Sequence, residues 1–254
     1  MTKNRTWILL RGLTREHRHW GEFFNLLSKQ YSNDKIIAPD LPGNGIHSQI
    51  NSPINIHDTM QLVRREVLQQ SNSSEFYFVA LSLGAMVAMD WVQHYPKECK
   101  TAFLMNTSFA GINPFYRRLK PQNYFQILEM LLLNNNLHRR ERSILNLTSY
   151  RHFNNENLVI EWMNYAKQNP VKRSNAIRQI IAASRYRLPE RKPDVPLYLL
   201  CGMQDNLANA ECSQKFAAYW QLPIKYHPQA GHDITLDAPS WVCEQIDQFI
   251  MMNK

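Results

Sequence analysis

The sequence predicts an α/β fold: a doubly wound, mostly parallel sheet of about six strands, with helices on both faces and one helical cap insertion. Three observations predict it. Short apolar runs alternate with one-sided helical stretches in the first and last thirds of the chain. The alternation stops once, over residues 112–189, where only helical patterns occur. Several apolar runs end in loops that carry Gly, Pro, Asn or Asp, as at Arg11-Gly12 and Asp40-Leu41-Pro42-Gly43. Strands joined by helical crossovers must lie parallel, and the helices then cover both faces. Residues 1–111 and 190–254 are therefore assigned to a core domain, and 112–189 to a helical cap.

The elements follow in order. Residues 7–10 (Trp-Ile-Leu-Leu) read as a buried strand ending at Arg11-Gly12. Residues 21–30 carry Phe23, Phe24, Leu26 and Leu27 at helical spacing. A second strand spans 35–39 and ends in Asp40-Leu41-Pro42-Gly43. Residues 56–70 form a helix with Met60, Leu62, Val63 and Leu68 as its apolar positions. A strand over 76–81 runs straight into a helix over 83–93, and a fourth strand spans 101–106. The helical stretches of the cap are separated by Asn134-Asn135-Asn136, Asn154-Asn155 and Asn169-Pro170. The first rhythm then returns: strand 196–200, helix 208–220, strand 224–227 and helix 238–251.

Composition bounds the function. A hydrophobic share of 44% over 254 residues is enough for a sizeable core. No apolar run reaches the roughly 18–20 residues of a membrane span. The apolar part of residues 1–10 is too short for a secretory signal, so a cytoplasmic protein is expected. Cys99, Cys201, Cys212 and Cys243 make no C-x-x-C pair, and no His/Cys spacing suits zinc. Free thiols are expected, and no metal or cofactor. The net charge of +8 is uneven: residues 110–192 hold 15 Lys and Arg against 5 Asp and Glu. Such an excess can steer an anionic partner, or it can be the solvated surface of Arg-rich helices. No nucleic-acid motif accompanies it, so no nucleic-acid partner is expected.

The chemistry centres on Ala80-Leu81-Ser82-Leu83-Gly84, where a strand turns sharply into a helix. A tight turn there lifts one hydroxyl above the sheet edge, and the flanking positions must be small. The helix start also favours the oxyanion formed in acyl transfer, with the Leu83 amide as one donor. The alternative is that Ser82 only caps the helix. A serine nucleophile needs a base and a carboxylate to orient that base. In such a sheet the acid and then the histidine follow in chain order. Asp205 lies in the loop after the fifth strand, and His232, in Gly231-His232-Asp233, lies after the sixth. Asp233 is read as a loop or surface residue and Asp237 as a helix cap, while His227 is assigned to the sixth strand. The second oxyanion donor is expected at Leu13, with Gly12 permitting the turn.

These motifs together resemble the α/β-hydrolase superfamily, in its small, lid-bearing serine esterase branch. The resemblance is carried by Arg11-Gly12-Leu13, Asp40-Leu41-Pro42-Gly43-Asn44-Gly45, the Ser82 turn, and Gly202-Met203-Gln204-Asp205 with Gly231-His232. It implies a cofactor-free Ser-His-Asp mechanism under a helical cap. Two departures stand out: Arg11-Gly12 replaces the usual His-Gly, and Gly43-Asn44-Gly45 the usual Gly-His-Gly. Arg11 is expected to brace its loop by bonding loop carbonyls. The expected reaction cleaves a carboxylic ester or thioester through an acyl-enzyme on Ser82. The substrate is then a small acyl compound, with or without an anionic carrier. A ligand receptor, an acyltransferase or a lyase on the same scaffold is the alternative. Arg11, His17, Trp20, Phe115, Tyr124 and Trp162 are the candidate substrate-contacting residues; the aromatic residues of the cap equally suit its own core.

Overall fold

A computed structural model describes residues 5–132 and 136–252. Asn134 and Asn135 of the first expected cap break lie outside the described residues. Six strands form one sheet: β1 (Thr6–Leu10), β2 (Lys35–Ile37), β3 (Phe76–Leu81), β4 (Cys99–Met105), β5 (Leu197–Gly202) and β6 (Ile224–His227). Their order is β2-β1-β3-β4-β5-β6, and every pairing is parallel. The chain leaves β1 toward β2 and returns on its other side as β3, so the direction of winding reverses there. Ligands bind outside the carboxyl ends of strands at such a reversal.

The helices before the insertion are α1 (Gly21–Gln30), α2 (Ile56–Gln70) and α3 (Leu83–His94). The insertion holds α4 (Phe115–Arg118), α5 (Tyr124–Leu132), α6 (Leu137–Thr148), α7 (Glu156–Gln168) and α8 (Arg173–Arg185). After β5 come α9 (Glu211–Trp220), α10 (Ile234–Asp237) and α11 (Pro239–Met252). One sheet face packs Ile8, Leu10, Phe78 and Leu104 against α2, α3 and α9. The other packs Trp7, Leu9, Val79 and Phe103 against α1 and α11. Burying each such side chain contributes about 1.5–3 kcal/mol, so continuous apolar strands need cover on both sides.

The boundaries differ from the sequence expectation for local reasons. β2 stops at Ile37 rather than 39, where Pro39 has no N–H to extend the ladder. α9 begins at Glu211 rather than 208, because the Asp205 carboxylate takes the amides of Leu207 and Ala208, both at 2.8 Å, into a turn. The expected final helix is α11, opened by Pro239, and the short α10 before it was not foreseen. The asparagines of the breaks start helices: Asn136 Oδ1 accepts from the Arg139 amide and Asn155 Oδ1 from the Leu158 amide, each at 3.1 Å.

The insertion leaves and rejoins the core at one place, where Ala110 and Arg187 form a parallel bridge. Two buried side chains of α8 dock it on the loop after β2. Gln179 Nε2 donates to Asn44 Oδ1 at 2.8 Å, and Asn175 Oδ1 accepts from the Ser52 amide at 2.9 Å. Among the described residues no helix is long and apolar enough to cross a membrane.

Candidate active site

Ser82 sits between β3 and α3 with φ 55° and ψ −114°. A side chain in this left-handed region costs about 1–3 kcal/mol, so the surroundings must hold it. The Ser82 amide donates to the Met105 carbonyl at 2.9 Å, and Thr107 Oγ1 donates to the Ser82 carbonyl at 3.2 Å. Gly84 makes the turn possible. A Cβ there would lie 2.2 Å from the Leu10 carbonyl oxygen, so α3 rests backbone to backbone on the end of β1. Ala80 lies within β3, buried and paired with Leu10 and Leu104, and its methyl is accommodated. Gly12 faces the serine directly: a Cβ at Gly12 would stand 3.3 Å from Ser82 Cβ and 3.8 Å from its Oγ.

His232 and Ser82 line one cavity. His232 Nδ1 is 2.7 Å from Asp205 Oδ2. Burial works against the imidazolium, but the Asp205 charge and hydrogen bond outweigh it and raise the His232 pKa above its usual 6.5. No hydrogen bond joins the Ser82 hydroxyl to the imidazole. The Asp205 carboxylate is fixed on both oxygens. Oδ1 accepts the Leu207 and Ala208 amides, and Oδ2 accepts His232 and, at 3.1 Å, Asn106 Nδ2.

Asn106 is the residue that sequence reasoning missed. It follows β4 with φ 43°, a conformation asparagine tolerates better than most residues. Its Nδ2 also donates to the Gly231 carbonyl at 3.0 Å, and its Oδ1 accepts the Gly202 amide at 3.0 Å. One side chain thus ties together the ends of β4 and β5 and the loop after β6. The available signal was an asparagine at a strand end.

Three expectations about neighbours are corrected. Arg11 does not bond loop carbonyls. Its guanidinium forms a two-pronged ion pair with Asp233, donates to Thr235 Oγ1 at 3.2 Å, and lies 4.8 Å from the Trp20 ring centre. Asp233 is accordingly buried rather than on the surface. Burial opposes its ionisation, yet the Arg11 charge and hydrogen bonds hold its carboxyl below the usual carboxylate range. Asp237 does not cap the last helix. It ends α10 and accepts the Gly231 amide at 2.7 Å, the Tyr150 amide at 2.8 Å and the Ser149 hydroxyl.

The cavity holds about 260 Å³ and is walled by both the core and the insertion. Its apolar wall includes Ile127, Met130, Ile144, Leu147 and Ile180. Arg11, Leu13, Leu83, Phe115 and Trp162 are among its lining residues. Trp162 also packs with Leu145 and Val159 in the insertion's own core. His17, Trp20 and Tyr124 are not among its lining residues. His17 pairs with Asp40 at 3.0 Å and faces a separate hollow with Phe24 and Tyr165. Trp20 is buried beneath Arg11, and Tyr124 packs on Phe115. One end of the cavity is polar: buried Arg15 pairs with Glu141 at 2.8 Å and lies 5.0 Å from the Trp162 ring centre. His19 beside them is kept neutral by burial and by the Arg15 charge. The four cysteines are buried and free. Burial pushes the thiols of Cys201 and Cys212 up to about 12, far from a thiolate nucleophile at neutral pH.

Known proteins bear on this arrangement. Monoacylglycerol lipase ABHD6 from Bos taurus and from Homo sapiens is 22% identical over 255 residues, covering 96% of this chain and 74% of the relative. The esterase RhEst1 from Rhodococcus superposes with a TM-score of 0.79 at 16% identity, over 98% of this chain and 90% of its own. The enol-lactonase from Burkholderia xenovorans does so with a TM-score of 0.77 at 14% identity, over 98% and 92%. The alpha/beta hydrolase family matches residues 7–245. With its six parallel strands and the sharp turn at Ser82, the chain belongs to the alpha/beta hydrolase family.

Proposed function

We propose that this protein is a serine hydrolase of small carboxylic esters, with Ser82 as nucleophile, His232 as base and Asp205 as the orienting acid. The observation that carries the reading is the 2.7 Å contact between His232 Nδ1 and a fully bonded Asp205, on the same cavity wall as the strained Ser82. With Nδ1–H given to Asp205, Nε2 is the nitrogen left to take a proton from Ser82. The Ser82 oxygen then bonds to the ester carbonyl carbon. The oxyanion is met by the amides of Leu83, at the first position of α3, and Leu13, beside Gly12. The C–O bond to the alcohol breaks as His232 returns the proton to the leaving oxygen. Water, deprotonated by His232, attacks the acyl-enzyme and releases the acid and the free serine.

The largely apolar wall suits an acyl or aryl chain of modest length, and the Arg15–Glu141 end suits a polar group on the substrate. The lipase, esterase and lactonase names of its relatives support ester chemistry as the class. The test is turnover of short p-nitrophenyl esters beside thioester and lactone panels, with fluorophosphonate labelling. Ser82→Ala should lose labelling and at least about 10³-fold in kcat/KM. Undiminished hydrolysis by the pure variant would remove Ser82 from the chemistry, and labelling without turnover would favour a receptor.

A further inference from the structure

Away from the cavity, three side chains with metal-ligating atoms meet where α2 packs on α3. His57 lies in the first turn of α2. Asp90 and His94 are one helical turn apart on α3, which puts both on one face. Asp90 Oδ2 is 2.9 Å from His57 Nδ1 and 3.4 Å from His94 Nδ1. The two imidazole centres are 4.5 Å apart, and ligand atoms of all three residues lie within 4.8 Å of one another. A tetrahedral ion with bonds of about 2.0–2.2 Å holds its ligands about 3.3–3.5 Å apart. The two separations to Asp90 therefore need to change by about half an ångström or less to meet that geometry.

The environment suits an ion as well. Asp90 is buried, whereas the His57 and His94 side chains are 44% and 46% exposed, so an ion between them would be within reach of solvent. The Gln61 side-chain amide stands 3.2 Å from His57 Nε2. With an ion on Nδ1, that second nitrogen carries a proton, and a rotated Gln61 amide offers its oxygen to it, the outer support that ligating histidines commonly have. Two imidazoles and one carboxylate favour zinc, nickel or copper over magnesium or calcium, which prefer all-oxygen sites.

We propose that His57, Asp90 and His94 bind one divalent transition-metal ion of the zinc class, which clasps α2 to α3. Asp90 stands eight residues beyond Ser82 on α3, about 12 Å along the helix. The ion is therefore a structural fastener and takes no part in hydrolysis.

Calorimetric titration of the full chain with zinc chloride, and separately with magnesium chloride, tests this. One zinc ion per chain is expected, with a dissociation constant in the micromolar range and no magnesium heat. A hundredfold excess of zinc over that constant should raise the thermal midpoint by about 5–10 °C. His57→Gln and His94→Gln should each weaken zinc at least tenfold while keeping the circular dichroism and metal-free ester turnover of the parent. His138→Gln, at an exposed histidine on α6, should leave zinc binding unchanged. Undiminished zinc binding by a His57→Gln, His94→Gln double variant, or none by the parent up to about 1 mM, would overturn the site.

Discussion

Arg11 exposes 3% of its surface, and a guanidinium so deeply buried needs an anion beside it. Asp233 supplies it, and each partner's burial is tolerable only through the other. Arg11→Met should lower the unfolding free energy by about 3–5 kcal/mol, while Arg11→Met with Asp233→Leu should lose much less. Denaturant titration of both variants checks this; equal losses would mean that the pair is not coupled. The Asp233 carboxyl is held down in the folded state. Its contribution to stability is therefore present above about pH 4 and lost as pH falls through its lower folded value. His232 has the opposite sign. Its folded pKa is raised, so the stability that its imidazolium adds is full below about pH 6.5 and lost as pH rises through the folded value. The proposed base acts in its neutral form, so kcat/KM should rise with pH through an apparent pKa above 6.5. Asp205→Asn should move that limb to lower pH and cut kcat; an unmoved limb would separate the titrating group from His232. The placement of Ser82, Asp205 and His232 beyond the ends of β3, β5 and β6 was legible because chain order assigns each to a known strand. The role of Arg11 was not, because its partner lies 222 residues away and nothing local to either residue announces the pair.

Among the elements, the loop bearing His232 is stitched to the insertion on two sides. The Asp233 amide donates to the Thr148 carbonyl at 2.7 Å, and Asp237 takes the amides of Gly231 and Tyr150. The helical layer over the cavity and the proposed base are thereby mechanically joined. Asp237→Ala would strand the buried Gly231 amide, at a cost of about 1–3 kcal/mol. It should lower the thermal midpoint and reduce kcat more than it raises KM; wild-type kcat in a destabilised variant would show that the stitch is only structural. Gly84→Ala should fail to accumulate as soluble protein, since its methyl would enter the Leu10 carbonyl. The six strands and flanking helices were readable from period alone, because apolar runs of strand length between turn residues leave little choice. Asp237 was misread because α10 is four residues long, below what periodicity detects.

Across the whole molecule, part of the basic excess of the insertion is engaged by neighbouring groups. Arg142 pairs with Glu156 and Arg139 with Glu129. Arg118 donates to the Ser184 carbonyl and Lys120 to the Asp205 carbonyl. The ion-paired cations are offset locally, but a backbone carbonyl removes no charge, and residues 110–192 hold 15 basic against 5 acidic side chains, so a net positive field remains. The ratio of kcat/KM for an anionic thioester to that for a neutral ester should therefore fall between about 20 and 200 mM salt. An unchanged ratio would show that this field does not steer substrate. Charge counts read from sequence give the size of such a field but not its shape, since they cannot see which guanidiniums are turned inward.

The bridge between Ala110 and Arg187 has a consequence for how this scaffold can change. Because the chain departs and returns at a single point, everything between can lengthen, shrink or be exchanged without rerouting the strands of the sheet. Closure of a longer loop costs only about 0.6 kcal/mol per doubling. A graft from another lid would have to bring its own partners for the core groups that the insertion now satisfies, among them Arg15, Asp233, Asp237, Asn44 and Ser52. Substrate preference can thus drift as a replaceable part while the hydrolytic floor beneath it stays fixed.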